Sequence, residues 1–451
     1  MKVKHIIHTS LMVVAAATLN TACTFEQEDF FDESASLRIT HLNENIKSRL
    51  VSQSSNGNNG WVIQYFVAGT DDYDFEGFNL FGRFYDNNKV TLASNHRYLR
   101  NGNANKYTEH TSSYEMLAEE GPVLSFNTWN DILTVFEDPV SPSSAPGSIV
   151  NDGEGMNGDH NLVLKSFKDE EIIFRGERHS ALVRFIPCDR TFEEYIAAVD
   201  EFKSKVATST VNNYYVTNGT DTMYFSGLNK GLFGYYDRLN DPLVRKTLSC
   251  VFTPNGFLLN RVDSLGDNTF QEFTLSEDKT YLTSEDGAVK VTAMWDVYLI
   301  NNTSLWKFDT SVFSDEQASL FDQISTEIKK YNNNWSLESI GIGKSTGSNS
   351  ITGLVLTFYT NTSKTKTNTA GVALTRKKVG DKQMQIIYSE TDKVDKNMET
   401  IKKKATNMEN LARSFAATLN GVYSITPNDY FLPTIGTYTA INGGTTFVLV
   451  K

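Results

Sequence analysis

Short runs in which apolar and polar residues alternate dominate the first 190 residues of the chain. The run GWVIQYFV begins at Gly60, and it is followed at short intervals by FNLFGRFY, KVTLAS, PVLSFNTW, ILTVFED, NLVLKSF, EIIFRG and ALVRFIP. Alternation with a period of two is typical of strands, and connections this short favour antiparallel neighbours. The pattern therefore predicts antiparallel meanders, and the spacing also suits a partly closed barrel in this part of the chain.

Four segments instead repeat apolar residues at the spacing of an amphipathic helix. Three of them follow Ser34, Thr191 and Ser314, which can cap a helix, and the fourth spans 394–419. In the second and third segments, a Glu or Gln after the cap completes a capping box. The fold class is therefore α+β, with mainly antiparallel β meanders and about four capped helices. Further strands are expected around 213–225, 244–262, 270–275 and 288–300.

Capped helices that follow runs of strands suggest where one lobe ends and the next begins. We expect an N-terminal lobe at 34–190, a middle lobe at 191–312 and a C-terminal lobe at 313–451, each a helix with an antiparallel sheet. The last two lobes could equally form one unit. A helix, an Asn-rich loop and a Trp occur in this order twice, ending at Trp61 and Trp335. This similarity is either an internal repeat or a chance match of two loops of low complexity.

The N-terminal 22 residues have the features of a secretory signal peptide. Lys2 and Lys4 make its start positive, and the apolar run LMVVAAATL (11–19) is too short to span a hydrocarbon core of about 30 Å. Its removal takes away two lysines and no acids, so the net charge changes from −12 to −14. Because a body this acidic repels phosphate backbones, no nucleic-acid partner is expected.

Cys23 is the predicted lipidation site. Thr21 and Ala22 precede it, as small residues do in a lipobox, although Asn20 occupies the usual Leu position. We expect an acylated, palmitate-bearing Cys23 that anchors the protein in the outer membrane, facing the cell surface, with 23–33 as a tether. The alternative is cleavage by an ordinary signal peptidase further upstream, which leaves a soluble periplasmic protein.

Several segments of the N-terminal half together resemble one known family. They are FDESASLRI, NGWVIQYF, SYEMLAEEGPVLSFNTWNDILTVFEDP, GDHNLVLKSFKDEEIIFRGERH and RFIPCDRTFEEY. The family consists of Bacteroidota lipoproteins and is catalogued as domain of unknown function 4302. The resemblance covers about 29–200 well and the remainder loosely, including GVYSITPNDYFLP. It implies an extracytoplasmic lipoprotein, often encoded beside TonB-dependent uptake pairs of the starch-utilisation type, but it identifies no catalytic or ligand-binding residue.

Motifs that suggest catalysis or metal binding have simpler explanations. Residues 343–347 (GKSTG) match a nucleophile elbow and the end of a P-loop, but the residues after them are typical of loop and strand, without the helix that either motif needs. The segment 152–159 is rich in oxygen ligands for Ca²⁺, yet solvated turn residues explain it better. Cys188 and Cys250 are either two buried thiols or one disulfide. We expect no catalytic residue, metal or cofactor.

Aromatic clusters are the feature most suited to ligand binding, although strand alternation assigns most of the rings to the core. Tyr235 and Tyr236 are the candidate ligand-binding residues, because Gly231, Gly234 and Asp237 suggest a turn that exposes them. The clusters lie at 73–85, 232–239 and 428–438.

The predicted function is that of a non-enzymatic accessory lipoprotein of nutrient capture, which binds a glycan, a peptide or an outer-membrane partner such as a TonB-dependent uptake pair. Two alternatives from other classes stay open. One is a hydrolase whose catalytic residues are dispersed in the sequence. The other is a purely structural assembly protein of an outer-membrane transporter.

Overall fold

Three β units follow one another along the chain, and every named strand pair in them is antiparallel. The structure, a computed structural model, describes residues 33–55, 57–67, 75–138, 156–236 and 246–451. Each outer unit contains a nine-stranded sheet, and the middle unit is a closed barrel. The β-rich, antiparallel α+β fold predicted from the sequence is confirmed.

The first unit, the first sheet below, is a sheet that almost closes on itself. It contains α1 (Ala35–Gln53), β1 (Trp61–Phe66), β2 (Phe78–Phe84), β3 (Lys89–Ser94), β4 (Thr108–Ser113), β5 (Glu115–Ala118), β6 (Pro122–Ser125), β7 (Asn161–Phe167), β8 (Ile172–Gly176) and β9 (Leu182–Pro187). The strand order is β4-β3-β2-β1-β9-β8-β7-β6-β5. Only Tyr114 separates the edge strands β4 and β5, so one bent stretch of chain supplies both edges. The partly closed barrel predicted here is therefore confirmed.

The second unit, the middle barrel, follows a connecting helix. The elements are α2 (Phe192–Val206), β10 (Asn213–Thr217), β11 (Thr222–Ser226), β12 (Leu232–Tyr236), β13 (Lys246–Thr253), β14 (Gly256–Leu265), β15 (Asn268–Leu275), β16 (Leu282–Ser284), β17 (Lys290–Ala293) and α3 (Trp295–Asn301). Each strand pairs with its neighbours in sequence, and β10 also pairs with β17 and so closes the barrel.

The third unit, the third sheet, contains β18 (Trp306–Phe308), α4 (Asp315–Tyr331), β19 (Ser336–Lys344), β20 (Thr352–Tyr359), β21 (Thr367–Ala373), β22 (Thr375–Gly380), β23 (Gln383–Ile387), α5 (Lys396–Ile401), α6 (Met408–Ala417), β24 (Gly421–Pro427), β25 (Ile435–Gly443) and β26 (Phe447–Val450). Its order is β21-β20-β19-β18-β26-β25-β24-β23-β22. Because β18 pairs with both β19 and β26, the boundary predicted at 313 falls inside this unit.

The first and third sheets have the same strand order when the strands of each are counted from its first one. The repeated helix–Asn-rich loop–Trp pattern does not mark this equivalence. Helix α1 precedes the first strand of its sheet, whereas α4 lies between the first and second strands of the third sheet. The first matching segment therefore leads into the first strand of its sheet, whereas the second leads into the second strand of its sheet.

The three helix starts predicted from capping residues are confirmed. The Ser34 side chain accepts a hydrogen bond from the backbone of Leu37. Thr191 and Ser314 each begin a complete capping box, with Glu194 and Gln317 as the partners. Reciprocal capping fixes where a helix begins, which is why these starts were readable from sequence.

Three other predictions about local structure were wrong. The run ILTVFED contains a short 3₁₀ turn (Thr134–Phe136), because its apolar residues plug the first sheet from a loop and do not pair in a ladder. The strand expected at 288–300 ends at Ala293, and α3 follows at once. The helix expected at 394–419 is divided into α5 and α6, and Glu327 of α4 accepts the backbone N–H of Asn407 just before α6 begins.

Cys188 and Cys250 are both buried free thiols, so the alternative of a disulfide between them is not adopted. Burial raises the pKa of both thiols. Among the described helices, none is long and apolar enough to cross a membrane.

Candidate functional site

A cleft of about 650 Å³ lies between the first sheet, α2 and the middle barrel, and we call it the junction cleft. The first sheet contributes residues 76–79 before and within β2, residues 94–97 at the end of β3 and after it, and Asn105. The barrel contributes the turn that precedes β12 and part of β13. Val199, Asp200 and Lys203 of α2 complete the lining.

Backbone contacts bring the first sheet against the barrel at this point. The backbone N–H of Gly77 donates to the carbonyl of Cys250 at 3.0 Å, and Asn79 Nδ2 donates to the carbonyl of Phe252 at 2.8 Å. Gly231 has a φ of +70°, and a Cβ placed on it would lie 2.9 Å from the Cβ of Glu76. Glycine is therefore required there both for the left-handed turn and for the close approach of the two units.

Charged groups line the cleft in a nearly balanced set. Arg97 Nη2 lies 2.5 Å from Glu76 Oε2, while Lys203 Nζ lies 5.1 Å from the ring centroid of Phe252. Burial raises the pKa of Glu76, and the neighbouring guanidinium partly opposes that shift. With Asp200 and Lys230 included, the lining has three basic and two acidic side chains. On a chain with a net charge of −12, this cleft is a locally less acidic surface.

His96 forms part of the cleft wall and is only 8% exposed. Its Nε2 lies 3.0 Å from the carbonyl oxygen of Ile132, which can only accept, so Nε2 carries the proton of the neutral ring. Nδ1 is then a bare acceptor, and it has no partner among the described residues. Burial lowers the pKa of His96 to about 4, so the ring stays neutral near pH 7. It packs against Phe136, with ring centroids 4.9 Å apart.

Two further side chains in the cleft lining also have a buried acceptor atom without a hydrogen-bond partner. Oδ1 of Asn79 and Oδ1 of Asn229 are buried and have no hydrogen-bond partner in the described part of the chain. A buried acceptor without a partner costs about 1–3 kcal/mol, so such groups are uncommon unless they have a purpose. Three of them, counting His96 Nδ1, occur in the lining of one cleft.

A second feature of the first sheet is an exposed tryptophan in the loop that follows β6. Trp129 is 50% exposed, whereas Trp61, Trp295 and Trp306 are buried. Its indole N–H donates to Asp131 Oδ1 at 2.6 Å.

The tyrosines chosen from the sequence do not lie in an exposed turn. Residues 232–236 form strand β12, in which Gly234 pairs with Ser226 and Thr247. Tyr235 is only 9% exposed and packs in the barrel core near Phe225, and Tyr236 is half-buried. The predicted turn was wrong because the left-handed glycine, Gly231, comes before the strand and does not interrupt it. A ligand-binding role for these tyrosines stays a prediction, and none of the proposals below uses it.

The other predicted sites have structural roles or cannot be judged. Ser345 Oγ accepts the backbone N–H of Ile351 in the hairpin between β19 and β20, so the GKSTG segment is not followed by a helix. In the oxygen-rich segment, Asp159 is buried, not solvated, and accepts backbone N–H groups of Arg178, His179 and Ala181. Cys23 and residues 152–155 lie outside the described residues. The described residues contain no group of three or more His, Cys, Asp or Glu side chains placed to hold a metal ion.

Sequence reasoning missed Glu76, His96 and Arg97, because the cleft forms from segments more than 100 residues apart and none of these segments contains a motif. Trp129 had a detectable signal. It is the last residue of the run PVLSFNTW, for which the sequence predicts a strand, but its immediate neighbours in NTWND are all polar.

The fold is that of a β-rich protein with three antiparallel units and a cleft between the first two. Residues 27–277 match the family model described as "Domain of unknown function (DUF4302)", and the chain belongs to this family. The matched region contains the first sheet and both walls of the junction cleft. No curated protein matches the chain.

One solved structure with a weak similarity is isotype 1 transferrin binding protein B (TbpB) from serogroup B Neisseria meningitidis. It is 8% identical, and the alignment covers 86% of this chain and 67% of that one. The TM-score is 0.13, so this similarity carries no argument about fold or function.

Proposed function

We propose that the protein is a non-enzymatic binding lipoprotein of the cell envelope, and that it captures a small polar ligand, a glycan or a peptide, in the junction cleft. The observation that carries the proposal is the cleft itself. Its lining combines a half-buried ion pair, Glu76–Arg97, with three buried acceptors that have no partner among the described residues. The family model spans both of its walls.

The size and the position of the cleft support a ligand site. Pockets for small ligands usually measure about 300–1,000 Å³ and occur where two domains meet. The junction cleft measures about 650 Å³ and lies where the first sheet meets the middle barrel. Its basic side chains, Arg97, Lys203 and Lys230, can serve the acceptors of a polar ligand, and its carboxylates, Glu76 and Asp200, can serve the ligand's donors.

A surface anchor fits this role, because a tethered binder concentrates ligand beside a transporter. The lipobox-like sequence before Cys23 and the acidic tether at 23–33 support an outer-membrane anchor that faces the cell surface. A TonB-dependent uptake pair is the partner we propose. Replacing Cys23 with Ala should release the protein from the membrane fraction without changing its thermal midpoint. An unchanged membrane fraction contradicts the anchor but leaves the cleft proposal standing.

Two lysines of α2 provide a matched test of ligand binding. Lys203 lines the cleft, whereas Lys205 forms an exposed ion pair with Glu201 on the same helix. A panel of mono- and disaccharides, amino acids and dipeptides is screened by calorimetry against the full chain. We expect Lys203→Gln to weaken binding by about tenfold, equivalent to about 1.4 kcal/mol, and Lys205→Gln to leave it unchanged. Equal effects of both variants, or no binding from the panel, contradict the proposal.

Hydrolysis is the second candidate function, and one observation favours it. Glu76 has a raised pKa and shares the cleft with Asp200, and a protonated carboxyl beside a second carboxylate is the usual arrangement for general acid catalysis of glycoside cleavage. The ion pair with Arg97 argues for a structural role of Glu76 instead. Turnover of a bound saccharide by the wild type that is lost in Glu76→Gln would establish the enzyme.

A further inference from the structure

The Trp129 loop, residues 127–131, lies over the corner where the first sheet nearly closes. Ser113 and Glu115 flank the bend between β4 and β5, and both are bonded to the loop. The backbone N–H of Ser113 donates to Thr128 Oγ1 at 2.8 Å, and Asn127 Nδ2 donates to Glu115 Oε2 at 3.2 Å. The loop is therefore fixed to the sheet immediately before Trp129.

The residues after Trp129 are fixed as firmly. Asn130 is buried, and its side chain donates to Ser112 Oγ at 2.9 Å and to the carbonyl of His110 at 3.1 Å. Asp131 holds the indole N–H at 2.6 Å with one carboxylate oxygen, and its other oxygen lies 2.9 Å from His110 Nδ1. The ring therefore has one orientation, set by bonds on both sides of it along the chain.

Packing does not account for this arrangement. Half of the Trp129 side chain, 50%, stays exposed in the folded protein. A single exposed apolar side chain needs no explanation by itself. Trp129 differs from such a side chain because a carboxylate and a hydrogen-bonded loop hold its indole in one orientation. The side chain has therefore already lost its conformational entropy before any ligand binds.

We infer that Trp129 is a preorganised stacking platform for one ring of a saccharide, and that this site is separate from the junction cleft. The indole face offers a flat apolar surface to the C–H face of the sugar ring. Asp131 and Glu115, which remain partly or fully exposed, can accept hydrogen bonds from sugar hydroxyls at the ring edge.

Other occupants fit this surface less well. A stable protein interface buries about 800 Å² per partner around an apolar centre. At this corner, the exposed large side chains are Trp129 in residues 108–138 and Tyr85, whose carbonyl oxygen accepts the Tyr114 hydroxyl. A nucleobase could stack on the ring, but Asp131, Glu115 and the acidic chain repel its phosphates. A single uncharged ring with hydroxyl groups matches both the area and the charge.

The exposed indole also supplies the measurement. The full chain is titrated with short neutral oligosaccharides of glucose, xylose, mannose and galactose, and iodide quenching of tryptophan fluorescence is followed in a Trp335→Phe background. That background removes the half-buried Trp335, so iodide reports mainly on Trp129 among the described tryptophans. We expect one of these saccharides to shield the indole from iodide. Shielding by dipeptides alone would replace the saccharide with a peptide and overturn the inference, and the absence of any shielding would overturn it as well.

Variants distinguish the stacking ring of Trp129 from the residues that hold it in place. Trp129→Ala should weaken saccharide binding, measured by calorimetry, by about tenfold or more, because stacking on a ring is worth about that much. Trp129→Phe should restore part of the affinity. Asp131→Ala keeps the indole ring but removes the carboxylate that fixes its orientation, so we expect a loss of affinity smaller than that of Trp129→Ala. An affinity equal to that of the wild type contradicts the preorganised ring. Lys203→Gln in the junction cleft should not change the shielding. If it abolishes the shielding, the two sites are one and this inference fails while the cleft proposal stands.

Discussion

The first and third sheets share one strand order but are covered in different ways. In the third sheet, helices α4 and α6 pack on the strands, and their apolar residues, including Ile324 and Phe415, belong to its core. In the first sheet, a loop does much of this work, with Val135 and Phe136 inserted into the core. A helix satisfies its own backbone, whereas a loop must find partners for each polar group. Both sheets bury polar side chains, but the only buried histidine among the described residues, His96, lies beside the loop-covered core.

The distribution of histidine shows the same contrast. All seven histidines lie before position 180, and the third sheet has none. His96 is buried beside Phe136, and its Nε2 is satisfied by the backbone of Ile132 in the covering loop. The same β framework can thus be covered by apolar helices or by a loop, and the loop-covered sheet is the one that places a histidine, His96, in the wall of the junction cleft.

Two phenylalanines on corresponding strands test whether the shared framework is equally important in both sheets. Phe185 in β9 and Phe447 in β26 are fully buried on the last strand of each sheet. We expect Phe185→Ala and Phe447→Ala each to lower the free energy of unfolding by about 3–5 kcal/mol. Denaturant titration followed by circular dichroism measures this. A loss below about 1 kcal/mol at either site would show that the phenylalanine is not packed in the core of its sheet.

The strand framework was largely predictable from sequence, and the way it is covered was not. Runs such as those at 172–176 and 182–187 alternate because one face meets the core, so they predicted strands correctly. The apolar residues of 132–136 are buried for a different reason, since they belong to a plugging loop, and the pattern could not distinguish the two cases. The junction cleft depends on contacts such as Asn79 with Phe252, which no local pattern encodes.

At acid pH, the buried histidine of the first sheet should lower the stability of the folded protein. The pKa of His96 is lowered from 6.5 to about 4 in the folded protein. As the pH falls below 6.5, the unfolded chain gains a proton that the folded chain excludes, so stability is lost until the pH reaches about 4. The expected loss is on the order of 3 kcal/mol.

The measurement is the free energy of unfolding between pH 7 and pH 4, compared for the wild type and His96→Gln. The glutamine can keep a donor for the carbonyl of Ile132 while removing the group that titrates. We expect the variant to have a flatter pH profile than the wild type. Parallel profiles would mean that other groups cause the acid sensitivity.

Substitutions at helix caps have a smaller expected effect, and they compare how the helices stabilise the first and third sheets. Ser314 begins α4 in a capping box in which both hydrogen bonds measure 3.2 Å, whereas Ser34 begins α1 with a single bond to Leu37 at 3.3 Å. Ser314→Ala should cost about 1 kcal/mol and Ser34→Ala about 0.5 kcal/mol. Thermal unfolding compares the two variants directly. A larger loss at Ser34 would mean that α1 stabilises its sheet more than the helices of the third sheet stabilise theirs.

The smallest expected effect is that of Trp129→Ala on stability, and it separates a binding residue from a structural one. Trp306 in β18 is buried, so Trp306→Ala should lower the free energy of unfolding by about 3–5 kcal/mol. Trp129 is 50% exposed and lies outside the hydrophobic clusters of the described residues, so Trp129→Ala should change that free energy by less than about 0.5 kcal/mol. Both variants are measured by denaturant titration at pH 7. A loss above about 1 kcal/mol for Trp129→Ala would mean that the indole fastens the loop through Asp131, and its exposed face would then need no ligand to explain it.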